Sequence, residues 1–438
     1  MTEPHQNGTI RAPEWEGGIA DPRQAPAPSP LPMPPLRHRL LRRLALALLA
    51  VVAMVLPGFA LGPFPPPPPP PPARVGQSRP FSLNRAEIRG VWMTGNDMPV
   101  LRDRDRMRLA VEQLARLNFN TIYPVVWNSG FAYYASASVQ RRGIQSFTFR
   151  GLQGQDVLAE LIQAGHAKGL LVIPWFEFGF MAPPESELAR LHPHWLTRKQ
   201  DGGLTSISAA GEVVWLNPLH PEVQAFILEL VQEIISQYDG DGIQFDDHMS
   251  LPSDFGYDDV TTAMYRKETK KAPPSNPRDP AWLKWRADKI SDFMQRVHDT
   301  VHAAKPAAVL SVSPNYYDFA YKLQLQDWLG WIRRGLVDEL VVQLYRPDLD
   351  SFVPLLAEAA LLESRTRIST AVAIMAGQRQ RPASIELIRG QVNAARERQL
   401  GVAFFYFETL WDRAVEPLSE RKLAFQQLFT APAPRTMS

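Results

Sequence analysis

From Glu87 onward, short apolar runs alternate with longer stretches in which apolar residues recur every three to four positions. The first pattern reads as buried strand and the second as amphipathic helix. Strands are predicted at Ile88 to Met93, Thr121 to Trp127, Leu170 to Phe176, Ile243 to Asp246, Val309 to Val312, Glu339 to Tyr345, Ile368 to Ile374 and Val402 to Phe407. Helices are predicted around Arg104 to Leu117, Asp156 to Lys168, Pro221 to Ile235, Trp282 to Ala303, Leu323 to Arg334, Ile385 to Arg396 and Pro417 to Leu428. The clearest is the third, where Val223, Phe226, Ile227, Leu230, Val231, Ile234 and Ile235 make one apolar stripe behind a first-turn proline. Strands alternating with helices predict an α/β fold, a TIM-type (β/α)8 barrel spanning 85–430, with a short tail at 431–438.

Side chains alternate along a strand, and in such a barrel the polar face points to the axis. Gln244 and Asp246 therefore face the lumen, and Ile243 and Phe245 the helices. Asp247 turns the same way only where the chain leaves strand geometry. The same parity groups Ile173, Trp175 and Glu177; Ser311, Ser313 and Asn315; Gln343 and Tyr345; and Phe404, Tyr406 and Glu408. The strand ends thus aim Glu177, Asp246, Asn315, Tyr345 and Glu408 at one mouth, the end where such barrels carry active sites. The irregular stretch from Leu251 to Pro280 follows a strand and is expected at that end, as a lid or subsite wall.

The first 84 residues differ in kind. They hold 20 of the 41 prolines, and residues 1–79 carry eight arginines against four acids, leaving about −2 for the remainder of a +2 chain. The basic balance belongs to this region and does not indicate a nucleic-acid surface. Residues 1–36 read as a disordered leader. Arg37, Arg39, Arg42 and Arg43 precede an apolar run from Leu44 to Leu56, so 37–62 reads as a signal peptide or membrane anchor. Residues 63–84, with Pro65 to Pro72 unbroken, read as a polyproline linker. Export is expected, with a membrane as partner where the segment is retained.

There are no cysteines, which excludes disulfides, thiolate metal sites and a cysteine nucleophile. No phosphate-binding glycine loop appears in the barrel, and no metal or cofactor is expected. Carboxylates without a histidine cluster suit glycoside hydrolysis, where one carboxyl protonates the leaving oxygen and another stabilises the oxocarbenium-like state. Asp246, Asp247, Glu408 and Glu177 are the catalytic candidates. Trp92, Trp127, Trp175, Asn217, His248, Asn315, Gln343 and Tyr345 are the substrate-binding candidates. Flat rings beside carboxylates suit a sugar, whose faces are apolar and whose edge is hydroxyl-rich.

Glu87-Ile88-Arg89-Gly90-Val91-Trp92, Asn120-Thr121-Ile122-Tyr123, Trp215-Leu216-Asn217-Pro218, Asp241-Gly242-Ile243-Gln244-Phe245-Asp246-Asp247, and Gln326-Asp327-Trp328 with Asp338-Glu339-Leu340-Val341-Val342-Gln343 occur in this order. Together they resemble the glycosyl-hydrolase-like 10 family over roughly 85–412. The resemblance implies a TIM-type barrel in an exported bacterial protein. One branch comprises divisome-associated hydrolases that cut peptidoglycan glycan strands stripped of their peptides. This chain departs from that branch in lacking a lipid-anchor cysteine and in carrying Trp175-Phe176-Glu177 after the third strand. The adjacent carboxylates also look like those of the substrate-assisted hexosaminidases. By that likeness one of Asp246 and Asp247 orients a 2-acetamido group and the other protonates the leaving group. The competing assignment makes Asp246 nucleophile or base and Glu408 or Glu177 the acid. A catalytically silent glycan-binding barrel and a hydrolase of another polysaccharide are the alternatives.

Overall fold

The computed structural model describes residues 87–144, 154–208, 211–379 and 381–435. The leader, the signal or anchor segment and the polyproline linker lie outside the described residues. Among the described residues, no helix is long and apolar enough to cross a membrane.

Eight parallel strands close into a barrel. They are β1 (Arg89–Met93), β2 (Thr121–Asn128), β3 (Leu171–Val172 and Trp175–Phe176), β4 (Gly242–Asp246), β5 (Val309–Ser313), β6 (Glu339–Gln343), β7 (Ser369–Met375) and β8 (Gly401–Phe405). Each pairs with its sequence neighbour, and β8 pairs with β1 through Arg89 opposite Val402. The outer helices are α1 (Arg104–Arg116), α2 (Val157–His166), α3 (Pro221–Gln237), α4 (Pro280–Ala304), α5 (Trp328–Arg333), α6 (Ala359–Arg367), α7 (Ile385–Glu397) and α8 (Leu418–Leu428).

The alternation along β4 is as its sequence demands. Ile243 and Phe245 are fully buried in the apolar layer, while Gln244 enters a polar column inside the lumen. Gln244 accepts from Trp92 Nε1 (2.7 Å) and donates to Ser311 Oγ (2.9 Å). Ser311 donates to Glu339 (2.7 Å), which also accepts from Tyr123 Oη (2.8 Å). Gly242 is needed where β4 starts, because a Cβ there would lie 2.0 Å from the Val309 carbonyl oxygen.

Four sequence expectations are corrected. The third strand is not continuous: Pro174 has no N–H to donate, and pairing breaks there although its carbonyl accepts from Gln244 N (2.8 Å). The eighth strand stops at Phe405, and Phe407–Trp411 is a helical turn capped by Tyr406. This reverses the expected faces: Phe404 packs outward on Phe119, Phe425 and Phe429, and Phe405 faces Trp92, Trp175 and Tyr345. Residues beyond 430 are not a free tail as far as Arg435. Ala431 O accepts from Arg89 (2.6 Å), Ala433 O accepts from Asn120 (2.7 Å), and Arg435 enters the barrel to meet Glu339. Finally, α6 has no counterpart in the sequence reading, because it buries little more than Leu361 and Ser364 and so shows weak periodicity.

The insertion after β4 contains a helix, Asp259–Thr269, and is fastened on both sides. Asp258 accepts from Thr197 Oγ1 (2.7 Å) and Asn217 Nδ2 (2.8 Å), and buried Arg286 of α4 donates to the carbonyls of Ser253, Phe255 and Pro277. It is built as a fixed wall.

Candidate active site

The end of β4 is a turn organised by its own side chains. Asp246 Oδ1 accepts from the His248 backbone N–H (2.9 Å) and lies 3.1 Å from His248 Nδ1. The same Nδ1 is 2.7 Å from the Glu177 carbonyl oxygen, so the histidine bridges the ends of β3 and β4. Gly179 sits against this turn at φ +45°, and a Cβ there would lie 2.4 Å from His248 O. Departure from strand geometry at Asp247 lets both carboxylates face the mouth. Asp247 Oδ2 accepts from Asn315 Nδ2 (2.9 Å) at the end of β5, and its Oδ1 from Gln343 Nε2 (3.1 Å) at the end of β6.

The Gln326-Asp327-Trp328 motif supports this turn from behind. Gln326 donates to Asp246 O (2.8 Å), Asp327 caps α5 through Gly330 N (3.0 Å), and Trp328 Nε1 donates to Asn315 O (3.1 Å). Two sequence-distant segments therefore fix the main chain on either side of Asp247.

A second group of acids lies across the β1, β3 and β8 ends. Glu177 accepts from Asn128 Nδ2. Asp97, on the loop after β1, accepts from the backbone N–H groups of Thr94 (2.7 Å) and Glu408 (2.8 Å). Glu408 lies in the Phe407–Trp411 turn and not at a strand end. Its carboxylate is held by Arg379 (2.7 and 3.1 Å) and by Tyr406 Oη (3.1 Å).

The electrostatics separate these acids. Burial, and then the charge of Asp246, push the Glu177 carboxyl up to about 8, against the pull of Asn128 and His248. Burial likewise raises Asp246 to about 7, opposed by His248 and assisted by Asp247. Burial raises Asp97 to about 7. For His248, burial disfavours the charged ring, but Asp246, Asp247 and the bonds to Asp246 and Glu177 O outweigh it and raise it to about 10. Burial also acts to raise Glu408, yet Arg379 and Tyr406 bring it below its ordinary value. The mouth therefore holds a cationic histidine, a carboxyl that keeps its proton at neutral pH, and a salt-bridged carboxylate at the rim.

The aromatic candidates divide. Trp92 and Trp175 are almost fully buried, 1% and 2% exposed, and pack with Phe405 below the strand ends, ring centroids 6.3 Å apart in each pairing, and Tyr345 lies 5.5 Å from Phe405. Burial lifts the Tyr345 phenol well above its ordinary range, followed by the charges of Asp247, Asp246 and Glu177, so it lies within the field of all three. Trp127 does not face the mouth. A register shift between Val125 and Trp127 turns it outward against Phe226 of α3, and the same shift brings Asn128 to Glu177. Asn217 is buried away from the mouth, with its amide taken up by Asp258, Thr261 and Leu219 N. Asp97 and Asn128 escaped the sequence reading. The Thr94 to Asp97 spacing is a capping-box signal that marks Asp97, whereas nothing in the sequence marks the bulge.

Asp246, Asp247 and His248 each offer a ligand atom within 4.8 Å of the others. Of their donor atoms, His248 Nδ1 lies between Asp246 Oδ1 and Glu177 O, and both Asp247 oxygens accept from amides. A cavity of about 490 Å3 on the outer wall, lined by Gln163, His166 and Tyr238, includes none of the site residues.

The chain is similar to several known proteins. It is 24% identical over 312 residues to glycosyl hydrolase YngK of Bacillus subtilis, covering 61% of this chain and 56% of that protein. It is 25% identical over 264 residues to glycosyl hydrolase DigH of Escherichia coli, covering 54% of this chain and 57% of that protein. It therefore spans little more than half the length of these relatives. Among solved structures, the glycoside hydrolase domain of PgaB (BpsB) from Bordetella bronchiseptica superposes with a TM-score of 0.57 at 14% identity, covering 74% of this chain and 95% of that one. That likeness shows the barrel fold. The glycosyl hydrolase-like 10 profile matches residues 87–389, which take in every strand from β1 to β7 and the whole Asp246–Asp247–His248 turn, and the chain belongs to that family.

Proposed function

We propose that this chain is an exported glycoside hydrolase acting on an N-acetylated cell-wall glycan, namely peptidoglycan strands. The observation that carries the reading is the convergence of Glu177, Asp246 and Asp247 at the strand C-termini, above the buried packing of Trp92, Trp175 and Phe405. Family membership and the names of YngK and DigH support hydrolysis of a glycosidic bond.

Glu177 is the general acid in this reading, since a carboxyl raised to about 8 carries a proton at neutral pH and can give it to the leaving oxygen. Asp247, fixed by Asn315 and Gln343, presents its oxygens to the reacting sugar. Asp246 and protonated His248 hold the turn and set the charge beside it. A second assignment follows from the closeness of the pair: oxygens of Asp246 and Asp247 lie within 4.8 Å, which suits orientation of a 2-acetamido group by one and protonation by the other. Glu408 fits neither role, because Arg379 occupies its carboxylate. The basic, apolar and proline-rich segments before residue 85 support export, and the segment from Leu44 to Leu56 would hold the barrel at a membrane where it is not cleaved.

The test is release of new reducing ends from purified sacculi, with and without prior removal of the peptides. Products from wild type and none from Asp246→Asn support hydrolysis. Retention of the glycan without new ends supports a silent binding barrel.

A further inference from the structure

Glu177 is tied to the end of β2 twice. Its backbone N–H donates to Trp127 O (3.0 Å), and its side-chain Oε2 accepts from Asn128 Nδ2 (2.5 Å). Asn128 is in turn held by a tight hairpin. It stands opposite Phe131, with Ser129 at φ +54° and Gly130 at φ +80° making the turn between them. A Cβ on Gly130 would lie 3.3 Å from both Ser186 and Leu188, so the turn is seated on the Glu187–Leu191 helix and the cap before it. Ser129 Oγ donates to Asn128 Oδ1 (2.7 Å), which turns the amide nitrogen to Glu177.

This orientation has a chemical consequence. An N–H donor needs a lone pair, so neutral Glu177 presents Oε2 unprotonated and carries its proton on Oε1. An amide turned the other way would offer Oδ1, which would accept the proton that the acid has to give away.

We propose that Asn128, backed by Ser129, is a positioning residue that keeps the Glu177 proton on Oε1, available to the leaving oxygen of the glycan. The inference rests on Glu177 being the acid of the proposed reaction. The titratable groups that face Glu177 are Asp246 and His248 of the β4 turn, Tyr345 after β6, Tyr133 of the hairpin and Asp97 after β1. All of them stay in place when only residue 128 is changed.

The test compares Asn128→Asp and Asn128→Ala with wild type on two substrates: peptide-free glycan strands, and a dinitrophenyl glycoside of their disaccharide repeat, whose leaving group departs without a proton. Asp keeps the shape of Asn but accepts where Asn donates, and Ala removes the bond should Asn128→Asp fail to fold. On the strands kcat is expected to fall about 10- to 100-fold with KM little changed, whereas on the dinitrophenyl glycoside the loss should be at most about threefold. Equal losses on both substrates, or an unchanged kcat on the strands, overturn the proposal. A carboxyl-carbon NMR titration, with Glu177 assigned by the loss of its signal in Glu177→Gln, reads the bond without turnover. A donated N–H favours the charged carboxylate, so the Glu177 midpoint should rise in Asn128→Ala by a few tenths to about one pH unit. An unmoved midpoint in the folded variant overturns the proposal whether or not the protein is active. A raised midpoint in a protein that cleaves no glycan would refute the proposed reaction and leave the orientation of this carboxyl standing.

Discussion

Arg435→Met tests how far the barrel depends on the segment that closes its lower end. Arg435 is 8% exposed in its side chain and pairs with Glu339, which is 0% exposed. It also donates to Thr121 Oγ1 (2.6 Å). Removing one partner of a buried pair costs about 3–5 kcal/mol, because the remaining charge is left uncompensated. Glu339 keeps two hydroxyl donors, Tyr123 at 2.8 Å and Ser311 at 2.7 Å, which places the loss near the lower end, about 3 kcal/mol. With about 2.1 cal/mol/K per residue over roughly 350 residues, this corresponds to a fall in Tm of about 4 °C. Urea unfolding of wild type and Arg435→Met should therefore show a lower midpoint at an unchanged slope. Adding Glu339→Gln should restore at least half of the loss, since a neutral amide tolerates the lumen without a counter-charge. A single variant that loses less than about 1 kcal/mol, or a double variant as unstable as the single, would refute the reasoning.

Further expectations concern the mouth. Asn315→Ala combined with Gln343→Ala frees both Asp247 oxygens and should lower kcat by about 10- to 100-fold while leaving the melting temperature within a few degrees, as steady-state kinetics and calorimetry would show. The raised Glu177 predicts a pH limit: its proton is present below about 8 and lost above, so kcat/KM should fall as pH rises through that value in a pH-rate profile. The sign for stability is the same. A carboxyl whose folded pKa is raised contributes stability below its ordinary value that is lost as pH rises to about 8, so Glu177→Gln should be more stable than wild type at alkaline pH and gain little at pH 4. Gly242→Ala should prevent folding, read as loss of cooperative unfolding, because its Cβ meets backbone at 2.0 Å.

Much of this architecture is legible in the chain. A parallel strand buried on one face and lumen-lined on the other alternates strictly, which is why Gln244 and Asp246 are placed correctly from residue order alone. The pairing of Asn315 and Gln343 with Asp247 follows from the same parity on β5 and β6. Where the reading fails, the chain departs from that period. The bulge at Trp127 and the early end of β8 at Phe405 each reverse a face, so Trp127, a substrate-binding candidate from the sequence, and Phe404, grouped by parity with Glu408, both pack outward. The apolar run that continues through Phe407 sets Glu408 at a strand end by parity, whereas the helical turn there is set by Tyr406, Thr409 and Asp97. Asn217 sits in the Trp215-Leu216-Asn217-Pro218 stretch and ties the insertion to the wall.

The most direct test is mass spectrometry of products from a panel of glycans, including peptide-free peptidoglycan strands, treated with wild type and with Asp246→Asn. The account predicts shortened strands with new reducing ends from wild type and a loss of at least about 1000-fold in the variant, whose melting curve stays cooperative. Near-normal turnover by Asp246→Asn, or binding of every glycan with no bond broken, would contradict it.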